Sequence, residues 1–347
     1  MVFKKILLPE PDISLSYRHF PIRIDCHNYL KQRHTEEHMK PINHPVAVAV
    51  GHVCSDTLCV LDGFPKENTS NRIQDTDRQS GGGASQAIVA FARLGGNAGY
   101  LGVLGDDSNG DFVFEGLQQE HVDTSHVVRA HGQNAFSIVC VNRNNASRTL
   151  INYHDRLPAL AFSQDQVEYI CGATYLHLDG SKYENAIRAA HIAKQGKVTV
   201  SLDGSSMQKD NKLNIDLAKL ADILIMNEVY PCRLMEDDNR ERALLEIAKW
   251  GAKVVVSTSG EEGCLAVVDG KVISFPAYRV EAIDTTGAGD VFHGAFLRAC
   301  DLQYPFHEAI RFSSAVSAIN CMSLGGRRGI PSLHQTLQFM AEHEFYR

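Results

Sequence analysis

Between Asp284 and Asp290 the chain reads Asp284-Thr285-Thr286-Gly287-Ala288-Gly289-Asp290. A turn of small residues, rich in accessible backbone N–H groups, thus ends in a carboxylate. The residues beyond it, Val291, Phe292, Ala295, Phe296 and Cys300, recur at helical spacing. The turn therefore opens onto a helix N-terminus, where unpaired N–H groups and the macrodipole favour negative charge. In that setting Asp290 suits a general base taking a proton from an alcohol, while Gly287, Ala288 and Gly289 hold a developing anion. Phosphoryl transfer asks for this arrangement. A glycine-rich turn before a helix is on its own more often a tight connection than a site, so the weight falls on the rest of the chain.

A second cluster lies upstream. Ser80-Gly81-Gly82-Gly83-Ala84-Ser85-Gln86 runs into an apolar helical stretch ending at Leu94. Successive glycines let the backbone approach a ligand closely and let a flap hinge. Asp56 follows the apolar run Val46–Val53 and should project from its carboxyl end. No G-x-x-x-x-G-K-[ST] loop is present, so a nucleotide must be held in another way.

These residues need elements to position them. From Val46 onward, strand-like runs at 46–53, 98–103, 174–178, 198–202, 223–226 and 254–257 alternate with helical stretches at 84–94, 110–120, 183–194, 240–250, 288–299, 305–322 and 332–342. That alternation predicts an α/β fold: a mostly parallel sheet covered by helices on both faces, with ligands beyond the carboxyl ends of its strands. Segments 57–80 and 134–153 break the pattern. The second holds period-two runs around Asn142-Arg143-Asn144-Asn145 and reads as a hairpin. Together the two segments predict a small sheet acting as a lid that excludes water.

Composition narrows the partners. The chain has 347 residues, 44% hydrophobic and 22% charged, with a formal charge of −7 and no dense basic block. That leaves no electrostatic footprint for nucleic acid or an anionic membrane and points to a small-molecule partner. Nine cysteines are scattered without zinc spacing, an odd count that fits a disulfide framework poorly and suggests the cytoplasm. Residues 1–44 are polar and His-containing without sustained periodicity, and are expected to be a disordered extension or a mis-started segment with Met39 as the true start; residues 45–347 form the folded part.

The two glycine clusters, in this order and spacing, resemble the signatures of the PfkB family of carbohydrate kinases over almost the whole of Pro45 to Pro331. The match includes Val291-Phe292-His293-Gly294 after Asp290 and Ala92-Arg93-Leu94-Gly95 after the upstream glycines. The resemblance implies a ribokinase-like doubly wound sandwich with a β lid, and transfer of the ATP γ-phosphoryl group to a sugar hydroxyl. It makes Asp290 the base and Gly287, Ala288 and Gly289 the anion hole. Asp56, Gly81, Gly82 and Gly83 become substrate and hinge positions, joined by Gln86, Asn152 and Asp179. Asn227, Thr258, Ser259, Gly260 and Gly263 fall on the nucleotide side. Mg²⁺ would accompany ATP, with Glu228 organising it through water. Asp284 and Thr286 would organise a monovalent cation, K⁺ in many relatives, with carbonyls from Gly325-Gly326. A homodimer through lid strands is also implied.

The sequence departs from the family pattern in two places. Gln86 stands where an Asn is common, and Tyr230 where a Glu usually helps to organise Mg²⁺. The C-terminal third looks closest to a subgroup containing sulfofructose kinase. The positions nearest to that enzyme's sulfonate-reading Lys and Arg are Ser70 and Asp179, and an aspartate repels an anion. A neutral furanose, ketose or nucleoside-like polyol is therefore expected. A nucleoside kinase, with Phe64 and Tyr153 as candidates for stacking a base, and a catalytically silent sensor are the alternatives.

Overall fold

The computed structural model describes residues 44–144 and 147–345, so the expected extension lies outside the described residues except for His44. The strands in chain order are β1 (Ala47–Val50), β2 (Cys54–Leu61), β3 (Asp75–Gly81), β4 (Ala98–Tyr100), β5 (Val103–Gly105), β6 (Val128–Ala130), β7 (Phe136–Asn142), β8 (Arg148–Tyr153), β9 (Tyr175–Leu178), β10 (Thr199–Gly204), β11 (Ile223–Asn227), β12 (Val254–Thr258), β13 (Cys264–Val268) and β14 (Lys271–Phe275). Eight of them form one sheet in the order β14-β13-β12-β11-β10-β9-β1-β4. From β4 to β12 every neighbour is parallel; β13 and β14 add an antiparallel edge.

The parallel strands are continuous apolar runs because both of their faces are covered. On one face Ala47, Ala49, Ile223, Ile225 and Val256 join Ile88, Phe91, Val291, Phe296 and Phe312 in a single buried cluster. These partners come from the helices Gly83–Arg93, Ala288–Asp301 and Phe306–Cys321. Alternate residues of the same strands, such as Val48, Leu176, Val200 and Leu224, are equally buried and face the opposite side. The helix Tyr183–Gln195 packs against β9 and β10, and Arg240–Ala248 against β12 and β13.

The expected run 46–53 ends as a strand at Val50. The Asp179 carboxylate occupies the space where a Cβ on Gly51 would stand, and the chain turns there to begin β2 in a different sheet. Similarly, 98–103 divides into β4 and β5, the latter pairing with β6. The β13–β14 hairpin was not foreseen, although Asp269-Gly270, with φ of 49° and 71°, is a two-residue turn of the kind that signals one.

The second sheet runs β3-β2-β7-β8. Its register places Gln79 opposite Asp56, Asp56 opposite Ser137, and Ser137 opposite Asn152. Opposed residues share a face, so four polar side chains form one rung across the sheet. The adjacent rung on that face carries Leu58 and Val139, which pack with Val141 against Leu324.

Candidate active site

The site gathers at the carboxyl ends of the parallel strands, where Asp179 follows β9, Asp203 lies in β10, Asn227 ends β11 and Thr258 ends β12. Two helix N-termini converge on it. The helix Ala288–Asp301 begins at Gly287, whose φ of 71° is in the left-handed region, and no side chain caps it. The helix Gly83–Arg93 begins at Gly82, φ 98°, also without a side-chain cap. Both glycines are required by these backbone angles. A Cβ at Gly83 would stand 3.3 Å from Asp290 Oδ1 and 3.2 Å from Asp179 Oδ2, so the two glycine clusters meet at the carboxylate of Asp290.

Asp290 is half-buried. Its pKa is raised to about 7, first by burial and then by the charge of Asp203, with Asp179 and Asp56 adding and His293 opposing. The turn before it is anchored from behind. Ser317 Oγ donates to Ala288 O at 2.8 Å, and Ile283 N donates to Cys321 O at 2.8 Å. Gly289 faces open space, since a Cβ there would meet nothing within 4 Å. The backbone at this helix start is thereby fixed in position yet open to a ligand, which is what stabilising a transferring anion requires.

Asp203 is buried, and His293 Nε2 lies 3.3 Å from its Oδ1. Burial works to raise the Asp203 pKa, but His293 and His177 outweigh it and hold the carboxyl below its usual range. His177 is buried behind His293, with ring centroids 5.3 Å apart, and burial drives its pKa down to about 3, so it stays neutral. His177 thus sits beneath the site.

The other expected residues divide by what their side chains already bond. Asp56 is half-buried in the polar rung, where Cys54 Sγ donates to its Oδ1 at 3.1 Å, and a Cβ at Gly81 would collide with its other oxygen. Asn152 is exposed at the end of the same rung. Asp179 is bound within the chain: Oδ2 accepts from His52 N (2.7 Å) and Ala84 N (3.0 Å), and Oδ1 from Ser181 N (3.0 Å) and Ser181 Oγ (2.6 Å). Its acceptor capacity is used to fix the loop after β1 and the start of the Gly83–Arg93 helix. Gln86 is buried and accepts from Arg327 Nε at 3.1 Å.

A cleft of about 1130 Å³ is lined by Thr258, Ser259, Gly260 and Gly263, and also by Glu228, Ala288, Gly289 and Phe292. It brings the expected nucleotide turn and the anion-hole turn onto one cavity. Asn227 is not among its lining residues; its Oδ1 accepts from Val229 N (3.1 Å) and Tyr230 N (2.9 Å), opening the short helix Tyr230–Met235. Tyr230 is buried, and a Cβ at Gly204 would stand 3.1 Å from its Cδ1. It points into the core, while Glu228 lines the cleft together with Glu261 and Glu262. A hard-acid Mg²⁺ shared with phosphate oxygens fits such a carboxylate, supplying charge neutralisation at those oxygens when bound.

At the other end of the turn, Asp284 Oδ1 accepts from Thr286 N (2.9 Å) and Oγ1 (2.6 Å), while Oδ2 accepts from Gly325 N (2.9 Å). Sequence reasoning missed Arg148 in β8, whose Nη1 donates to Thr285 Oγ1 at 2.9 Å and lies 3.6 Å from Asp284 Oδ1. It also missed Arg240, which bonds Ser257 and Ser259 and so stiffens the Thr258–Gly260 turn from behind. Of the candidate base-stacking residues, Tyr153 stacks on Phe136 with centroids 5.2 Å apart, and Phe64 stands exposed.

Residues 46–333 match the pfkB family carbohydrate kinase. Ribokinase of Haemophilus influenzae is 28% identical over 302 residues, covering 85% of this chain and 97% of its own. Ketohexokinase of Mus musculus is 28% identical over 298 residues, covering 82% and 98%. Among solved structures, Arabidopsis thaliana ribokinase complexed with ribose and ATP superposes with a TM-score of 0.75 at 23% identity, covering 86% of this chain and 99% of that one. The chain belongs to the pfkB family of carbohydrate kinases.

Proposed function

We propose that this carbohydrate kinase transfers the γ-phosphoryl group of ATP to a hydroxyl of a small, neutral, ribose- or fructose-like sugar. The observation that carries the reading is the meeting of Asp290 with both uncapped helix N-termini, between the cleft of about 1130 Å³ on one side and the polar rung on the other. ATP enters the cleft along the Thr258–Gly263 turn with its phosphates toward Gly289. Asp56 and Asn152 accept and donate to sugar hydroxyls. Asp290 removes the proton of the attacking hydroxyl, and the amides of the Gly287–Gly289 turn hold the charge on the transferring oxygens. Its raised pKa suits the role, because a base poised near neutrality can accept the proton and release it.

The four-stranded sheet serves as the lid, latched to the turn through Arg148. Glu228 would hold Mg²⁺ beside the phosphates, and Asp284 and Thr286, with carbonyls of Gly325-Gly326, would hold a monovalent cation, K⁺ in the first instance. The Asp284–Gly325 hydrogen bond supports this placement by bringing those segments together. A relative named nucleoside kinase is 25% identical over 293 residues, but here Tyr153 is committed to Phe136 and Phe64 stands exposed, so neither candidate is placed to sandwich a base. ADP release measured over pentoses, hexoses, keto-deoxy acids and nucleosides, in K⁺ and in tetramethylammonium, tests the proposal. A neutral pentose or ketose should give the highest kcat/KM. Preference for a nucleoside or an anionic sugar contradicts the substrate class, and equal rates in the two salts contradict the cation.

A further inference from the structure

Arg327 takes no part in phosphoryl transfer itself, yet it is only 6% exposed and lies against the start of the Gly83–Arg93 helix. Its Nε donates to Gln86 Oε1 at 3.1 Å and its Nη2 to Ser85 Oγ at 2.5 Å. Both acceptors belong to the first turn of the Gly83–Arg93 helix, whose start meets Asp290. A guanidinium carries five donors and no acceptor, so only the carbonyl side of the Gln86 amide can face it. The amide NH₂ is therefore turned the opposite way. A Cβ at Gly287 would stand 3.6 Å from Gln86 Nε2, and one at Gly326 would collide with it.

Arg327 is itself held in place. Its backbone N donates to Gln79 Oε1 at 3.4 Å, and its carbonyl accepts from Arg93 Nη1 at 2.8 Å. Arg93 is in turn paired with Glu120. Burial lowers the Arg327 pKa to about 10, with nearby Glu120 opposing, which leaves the group charged at neutral pH.

We propose that Arg327 is a positioning residue for the sugar: it fixes the Gln86 amide with its NH₂ toward the Gly287 turn, so that the site selects a sugar with an acceptor oxygen at that point. The inference rests on the sugar-kinase reading and deepens it. The Gln86 side chain is long enough for one amide to span the buried guanidinium and the Gly287 turn. Without Arg327 the amide is released to present its oxygen toward the Gly287 turn, and the donor is lost.

The test is a double-mutant cycle on KM for D-ribose and D-fructose at saturating ATP, with KM for ATP, kcat and Tm recorded for every variant. Gln86→Ala and Arg327→Met are each expected to raise the sugar KM roughly tenfold, as loss of one buried hydrogen bond does. KM for ATP should stay within about twofold, and the double variant should be no worse than Gln86→Ala alone. Arg327→Lys, which retains a cationic donor, should recover most of the loss. Gln86→Glu keeps shape and pairs with Arg327 while offering only acceptors, so it should raise the sugar KM as much as Gln86→Ala with Tm unchanged; this variant decides the matter should Arg327→Met fail to fold. Additive effects of the two single substitutions, a wild-type sugar KM in Gln86→Glu, or equal rises in both KM values for Arg327→Met would overturn the inference alone. If the wild type released no ADP with either sugar, the parent reading would fail and the inference with it.

Discussion

Asp290 is both the most exposed to chemical test and the most legible residue of the site. Its place at an open helix start was readable because the setting is local: a short turn, left-handed glycine and helix start follow one another in sequence. Replacing it by Asn should lower kcat by about 10²–10⁴-fold, as removing a general base does, with circular dichroism unchanged. Because the base must be ionised and its pKa is raised to about 7, kcat/KM should rise with pH and level off above that value. Asp203→Asn removes a neighbouring negative charge and should move this acidic limb to lower pH; a limb that stays in place would separate the two groups. Stability follows the opposite sign. The folded chain holds a proton on Asp290 between the ordinary carboxylate value and about 7, so stability falls as pH rises through that window. Asp290→Asn should therefore have a higher Tm than wild type at pH 8, a difference that vanishes near pH 4. Arg327, Arg148 and the Asp203–His293 pair were not legible as parts of the site, because each acts through a partner distant in sequence, such as Ser85 for Arg327 or Thr285 for Arg148.

At the scale of elements, the central strands were readable from continuous apolar runs, and the β7–β8 hairpin from its period of two around a turn. The end of β1 at Val50 was not, because it depends on where Asp179 places its carboxylate. The short helices Asn211–Ala218 and Tyr230–Met235 carry too few turns to imprint a period. Among the described residues of β8, Arg148 alone makes a side-chain hydrogen bond to the Asp284–Asp290 segment, to Thr285 at 2.9 Å. Arg148→Ala should raise the sugar KM and the fraction of ATP hydrolysed without sugar, with Tm shifting little, since a part-exposed ion pair contributes little to stability. Sugar-independent ATP hydrolysis at the wild-type level would show that the contact does not hold the lid. Gly82→Ala is expected to be more damaging to the fold: φ of 98° strains any side chain, and the added Cβ would collide with His52 O. A loss of about 1–3 kcal/mol in urea unfolding is expected.

At the scale of the whole molecule, the mostly parallel α/β sheet and family membership were in view from the sequence, and the homodimer that the resemblance implies rests on the small sheet. No helix among the described residues is long and apolar enough to cross a membrane. The outer face of the small sheet carries Ile138 and, directly opposite it on the edge strand β8, Ile151, 38% and 50% exposed. Unpaired edges next to apolar patches favour association with a second copy. Sedimentation should show a dimer that Ile138→Lys with Ile151→Lys converts to monomer; a monomeric wild type at high concentration would contradict the homodimer. All of this depends on one reaction at one carboxylate, and ³¹P NMR observes it directly. With ATP, Mg²⁺ and a sugar chosen from the ADP-release panel, a phosphomonoester resonance should grow at the rate of ADP release in wild type and at least about 100-fold more slowly in Asp290→Asn. No phosphomonoester with any sugar, or undiminished growth in the Asn variant, would contradict the account.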